Sequence, residues 1–341
     1  MDFVDLHEST WRRIHAGRAR MAHAVLLAGP AGIYKNDFSL ELAGSFLCES
    51  PQSSGRLCGR CSACHWFSQG NHPDFRWLRP ESAEELKPSE ESPKASKEKQ
   101  SREITIDQVR ALNDFLNVGT HRSGMRIVLI TPAEAMNRNT ANALLKSLEE
   151  PRNSTIFLLV SDHPDRLLPT IRSRCRLEAM SRPEYSKALE YLKGRDVVTP
   201  DRWLALAGGA PRLALELASG NQKRLQEILE GHLSLGDRLD PIRLAQEIDT
   251  LLRADRQLQV SDVIEWTQRW VHDLVLASFG LSPRYHAHAK AIVCSVAERS
   301  KFERLSKLSR RMLDFKKLAH HPLNCRLFFE DFYSEYLVVF R

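Results

Sequence analysis

The chain has 341 residues, 42% of them hydrophobic and 27% charged, with a formal net charge of +6. Those totals are ordinary for a globular protein, and the length leaves room for two or three domains with real cores. No run approaches the roughly 20 apolar residues of a membrane span, and the acidic start MDFVDLHESTWRR lacks the apolar stretch of a secretory leader, so a cytoplasmic location with reduced thiols and no membrane partner is expected.

In chain order, His23–Gly29 is an apolar run ending in glycine and reads as a buried strand entering a loop. Phe38, Leu40, Leu42, Phe46 and Leu47 then suit a helix packed on a sheet. Asp74–Leu78 reads as a second strand. Residues 81–103 carry one leucine, no aromatic residue and mixed charge, the composition of a mobile surface insertion. Thr105–Gln108 has the capping-box pattern that opens a helix, with Val109, Leu112 and Leu116 on one face. Arg126–Thr131 is a continuous apolar strand. Ala141, Leu144, Leu145 and Leu148 follow helical spacing up to Pro151, and Thr155–Val160 is another buried strand. Alternating buried strands and amphipathic helices predict a mainly parallel sheet covered on both faces.

Beyond about Arg182 the strand signal fades. Residues 183–217 predict short helices broken at Gly194 and Gly208-Gly209, and everything from about Asn221 onward is helical in period. Val263, Trp266, Trp270 and Leu274 form one apolar stripe. Leu327, Phe328, Phe329, Phe332 and Tyr333 form another in the last helix, both read as core or subunit interface.

Two segments carry chemistry. Cys48, Cys58, Cys61 and Cys64 place a C-x2-C-x2-C run behind a lone cysteine, a thiolate density that predicts a structural, four-coordinate Zn2+ site without catalysis. His65 competes for the fourth place, and Cys48 is preferred because adjacent residues rarely close a tetrahedron. Arg56 and Arg60 give the module a basic surface. Cys175, Cys294 and Cys325 are isolated and read as packing residues.

The loop Gly29 to Asn36 (GPAGIYKN) lines up with a phosphate-binding loop at Gly29, Gly32 and Lys35. Such a loop needs glycine before the lysine for close backbone approach and a hydroxyl after it for Mg2+. Tyr34 and Asn36 stand there instead. Tyr34 is expected to fill the cradle and to resist the glycine conformation. The expected outcome is a turn that survives without its ligand. A Walker B strand should end in an acid that holds Mg2+, yet Ile127–Ile130 runs into Thr131-Pro132, with Glu134 displaced from the strand end.

The run Asn142 to Pro151 (NALLKSLEEP), followed by Ser173-Arg174-Cys175, resembles the clamp-loader branch of the AAA+ ATPases. The likeness is strong from about His23 to Leu177. It implies an α/β RecA-like P-loop domain with an inserted zinc module over 1–178, a small helical lid over 179–220, and an all-α collar over 221–341. It further implies that Arg174 is an arginine finger projecting in trans into a neighbour's ATP site, that Ser161 and Arg212 are sensor-like positions, and that ATP is not bound by this chain. Arg172 is read as support or surface. The implied partners are the clamp-loader ATPase subunits (gamma/tau) and a delta subunit, the sliding clamp indirectly, and primed-template DNA held within the assembled ring. Arg12, Arg13, Arg18 and Arg20 are candidates to face that DNA, although a solvated helix face is preferred for them. Two other readings use the same residues: an active ATPase with Lys35 on phosphate and Glu134 as a displaced acid, and a stand-alone zinc-dependent nucleic-acid-binding protein.

Overall fold

A computed structural model describes residues 1–81, 103–117, 124–151, 154–255, 258–319 and 324–341. The insertion expected at 81–103 falls almost wholly outside the described residues. The described chain divides into two compact units, Met1–Pro183 and Glu184–Arg341.

The first unit is built on five parallel strands: β1 (Ala24–Ala28), β2 (Phe75–Leu78), β3 (Arg126–Ile130), β4 (Thr155–Ser161) and β5 (Arg176–Ala179), in the order β2-β3-β4-β1-β5. Every residue of β1, β3 and β4 is buried. That is why those strands read as unbroken apolar runs rather than alternating ones. Helices α1 (Glu8–Ala16), α2 (Lys35–Leu47), α3 (Ser62–Ser68), α4 (Ile106–Asn117), α5 (Arg138–Glu149) and α6 (Pro169–Arg172) surround the sheet. Because side chains alternate across a strand, Leu26, Val128, Ile130, Phe157 and Leu159 face one way. There they meet Leu112 and Leu116 of α4 and Leu144 and Leu148 of α5 in a single core. α2 packs against β1, β3 and β4.

Local signals start and stop the helices. Thr105 and Gln108 form the expected reciprocal cap, with backbone N–H to side-chain oxygen distances of 3.0 and 3.4 Å. Asn137 caps α5 by accepting from the Thr140 N–H at 3.0 Å, and Pro151 forbids a further turn.

β5 was not among the expected strands. Three of its four residues are exposed and only Glu178 is buried, so it carries none of the apolar signal of the interior strands. It pairs with β1 from Val25 opposite Arg176 to Ala28 opposite Ala179.

The second unit is all helical: α7 (Tyr185–Lys193), α8 (Pro200–Leu206), α9 (Pro211–Leu217), α10 (Gly220–Leu233), α11 (Pro241–Ala254), α12 (Val260–Ser278), α13 (Lys290–Glu298), α14 (Phe302–Leu318) and α15 (Cys325–Val338). The stripe Val263, Trp266, Trp270 and Leu274 is buried throughout. α15 meets two polar groups of α12: Trp270 Nε1 donates to Tyr336 Oη at 3.1 Å, and the Thr267 and Tyr333 hydroxyls lie 3.0 Å apart. The expected α15 stripe needs one correction. Phe329, Phe332 and Tyr333 are buried, but Leu327 is 61% exposed, because two residues of helix turn a side chain about 200° from its neighbour's face. Asp273, fully buried, accepts from the backbone N–H groups of Arg284, Tyr285 and His286 and pairs with His286 Nδ1 at 2.8 Å. No described helix is long and apolar enough to cross a membrane.

Candidate functional site: a closed phosphate cradle and a thiol cluster

The loop between β1 and α2 keeps the shape of a phosphate cradle. Gly29 is required by packing: a Cβ there would lie 2.1 Å from the Met180 carbonyl oxygen. Gly32 has φ +76°. Tyr34 adopts φ 66°, ψ 28°, the left-handed conformation that favours glycine. The expectation that tyrosine resists this conformation is therefore corrected: the turn is kept, at a cost of about 1–2 kcal/mol for a residue with a Cβ. The Tyr34 ring stacks on Phe3, with centroids 6.0 Å apart.

What differs is where the polar groups go. Lys35 is 4% exposed. Its ammonium donates to the Pro30 carbonyl and forms an ion pair with the Asp162 carboxylate. Asn36 and Thr131, at the two positions where a hydroxyl and an acid would hold Mg2+, are joined to one another: the Thr131 hydroxyl donates to Asn36 Oδ1 at 2.6 Å. Glu134, the displaced acid an active ATPase would call on, accepts from the backbone N–H groups of Asp162 at 2.9 Å and His163 at 3.2 Å. Ser161 is fully buried, and its hydroxyl accepts from the His163 N–H at 3.1 Å.

Sequence reasoning did not single out Asp162 or His7. His7 Nε2 lies 2.7 Å from the Ile33 carbonyl. Burial pushes its pKa down, which outweighs the bond to Ile33, and the charge of Lys35 acts in the same direction. A lone aspartate after a strand carries no motif, and only the adjacency of β1 and β4 brings it to Lys35.

Arg174 sits between α6 and β5, with its side chain about one-third exposed. It pairs with Glu149, the first glutamate of the Glu149-Glu150-Pro151 run, and donates to the Thr170 carbonyl at 3.0 Å. The two motif segments thus touch. Arg172 is exposed. Arg212, at the start of α9 in the second unit, donates from Nε to Glu216 Oε1 at 3.3 Å.

The four cysteines gather after α2 and around the start of α3. All four sulfurs lie within 4.8 Å of one another, with Sγ–Sγ distances of 3.5 Å (Cys48–Cys64), 3.9 Å (Cys48–Cys61) and 3.9 Å (Cys58–Cys64). A tetrahedron with arms of about 2.3 Å has edges of about 3.8 Å, so the donor set fits a four-thiolate metal site. Backbone N–H groups of Cys58, Cys61 and Cys64 point at the sulfurs of Cys48, Cys58 and Cys61 from 3.3–3.4 Å. The Cys58 thiol is lowered to about 6, chiefly by the Arg60 and Cys61 N–H groups, while burial pushes Cys64 up. His65 lies outside the cluster, exposed and 3.2 Å from Gln69.

The module rests on α2 at Gly44, where an added Cβ would come within 3.0 Å of both Leu57 and Phe67. Its expected basic surface is corrected at Arg56, which pairs with Asp2 at 3.0 Å and Asp5 at 2.6 Å; Arg60 is exposed. Three of the four N-terminal arginines are likewise engaged. Arg12 pairs with Glu8, Arg13 with Glu178, and Arg18 donates to the Phe46 carbonyl at 3.0 Å. Arg20 is exposed.

A family model described as "DNA polymerase III, delta subunit" matches residues 9–184. The chain is 41% identical over 235 residues to the DNA polymerase III subunit delta′ of Pseudomonas aeruginosa, covering 67% of this chain and 66% of that protein. It is 33% identical over 217 residues to the subunit of the same name from Escherichia coli K12, covering 63% and 59%. The chain thus spans 59–66% of the length of these relatives, less than two thirds. Among solved structures, a DNA polymerase III gamma subunit-related protein from Thermotoga maritima aligns over 98% of this chain and 99% of its own at 16% identity, with a TM-score of 0.44, a likeness too loose to carry weight.

Proposed function

Because this chain belongs to the DNA polymerase III delta′ family, we propose that it serves as the non-ATPase subunit of a clamp loader. In this reading Arg174 acts in trans as an arginine finger on the ATP held by a neighbouring gamma/tau-type subunit, within a ring that also contains a delta subunit. That ring opens the sliding clamp and places it on primed-template DNA. Residues 1–178 form the AAA+ domain, 179–220 its lid and 221–341 the collar that packs on partner subunits. Cys48, Cys58, Cys61 and Cys64 hold a structural Zn2+, which cross-links the module and takes no part in chemistry.

The observation that carries the reading is the bond between Asn36 and Thr131. Both Mg2+-holding positions are neutral, and they satisfy each other. Without a metal to bridge the phosphates, this chain has no means of supporting hydrolysis at its own loop. Arg174 supports the positive half of the reading. It is a planar cation, always charged, accessible, and anchored by Glu149 and Thr170 at the end of a short helix. Glu149 would release it when a triphosphate presents more negative charge.

The test is reconstitution with gamma and delta subunits and a sliding clamp. Arg174→Ala should lower clamp- and DNA-stimulated ATP turnover by about a hundredfold or more while the complex still co-elutes on gel filtration. An unchanged rate in an assembled complex removes the finger. ATP turnover by the isolated chain, lost with Lys35→Met, removes the non-ATPase role.

A further inference from the structure

Resting on the reading that this chain binds no ATP, we propose that Asp162 occupies the place of a nucleotide phosphate on Lys35. The loop is then a latent polyphosphate site that the chain fills with its own carboxylate. A lysine ammonium almost withdrawn from water must be neutralised, and Lys35 is 4% exposed. It lies in the first turn of α2, a helix of 13 residues whose N-terminus favours negative charge. Asp162 supplies the carboxylate that pairs with it.

The carboxylate is held in place. Glu134 Oε1 accepts from the Asp162 and His163 N–H groups, and Ser161 Oγ accepts from the His163 N–H. Two groups that an active enzyme would spend on metal and γ-phosphate instead pin the turn that presents Asp162. Glu134 and Ser161 are therefore positioning residues for the internal anion. With Asn36 and Thr131 closed on each other, the latent site would take a polyphosphate chain without Mg2+, through one lysine and the loop's N–H groups.

The experiment titrates the full-length chain with sodium tripolyphosphate, free of Mg2+ and at low ionic strength, by isothermal calorimetry. Parallel thermal melts at rising tripolyphosphate read any variant that is only marginally folded. Asp162→Asn keeps the shape and removes the charge. It should bind at least tenfold more tightly than wild type, and its melting midpoint should climb with ligand. Asp162→Glu, which keeps the anion, and the double variant Asp162→Asn with Lys35→Met should behave like wild type. An Asp162→Asn chain that binds no better than wild type and gains no midpoint overturns this proposal alone and leaves the non-ATPase role standing. Tight uptake by wild type that disappears with Lys35→Met overturns both.

Discussion

The Thr131 hydroxyl donates to the Asn36 side-chain oxygen at 2.6 Å, tying the end of β3 to the first turn of α2 across 95 residues of sequence. A double-mutant cycle with Asn36→Ala and Thr131→Val, read by urea unfolding, should return a coupling energy of about 1 kcal/mol. Additive effects would mean that the two side chains do not act as a pair.

Arg174→Ala should change the unfolding free energy of the isolated chain by less than about 1 kcal/mol, because its ion pair with Glu149 is partly solvated and screened. Denaturant midpoints check this. A larger loss would make the arginine a structural strut, and any defect in the assembled ring would then need another explanation.

Removing the thiol ligands should act on stability rather than on chemistry. Wild type should contain about one zinc per chain by atomic emission. Cys61→Ser should lose most of it and melt roughly 5 °C or more lower, since binding free energy in such sites is folding free energy. His65→Ala should keep the metal. Full zinc retention by Cys48→Ser, with loss in His65→Ala, would reverse the ligand assignment.

Asp273 gives the second unit an acid-sensitive joint. Burial works to raise its carboxyl pKa, but the hydrogen bonds from His286 and from the Arg284 and His286 N–H groups outweigh it and hold the carboxyl below its ordinary 3.8. A pKa lowered in the folded state contributes stability above the unfolded value, and that stability is lost as pH falls through the folded value. Asp273→Asn should therefore cost about 3 kcal/mol near neutral pH. The gap from wild type should close only below about pH 4. A gap that stays constant down to pH 3 would refute the ionic account.

Gly29→Ala should destabilise the first unit by about 2–3 kcal/mol, because its new Cβ must displace the Met180 carbonyl that continues the β5 edge. A neutral effect in thermal melts would show that this edge yields without cost.

Much of the first unit was legible because its signals are local. β1, β3 and β4 are buried at every position and apolar at all but the ends of β3 and β4, Thr105 and Gln108 cap each other within one turn, and four cysteines close a site within 17 residues of chain. What escaped notice depends on folding. β5 is an edge strand whose one buried residue is a glutamate, while Arg176, Leu177 and Ala179 are exposed, so period and hydrophobicity do not reveal it. Tyr34 in the left-handed region contradicts its own steric preference, and the surrounding loop overrides it. Asp162 meets Lys35 only because the sheet order sets β4 beside β1. Arg174 was legible as a motif residue, but its hold on Glu149 is a tertiary fact.

Arg174 stands two residues ahead of Arg176, which is in register with Val25 on β1. Its backbone is therefore tethered to an edge of the central sheet, and its side chain is already held by Glu149 and the Thr170 carbonyl. A cation mounted in this way loses little motional freedom when another molecule captures it, so more of the attraction is left for the encounter itself. Aim is set in advance, by the ladder at its base and by the carboxylate that holds its head.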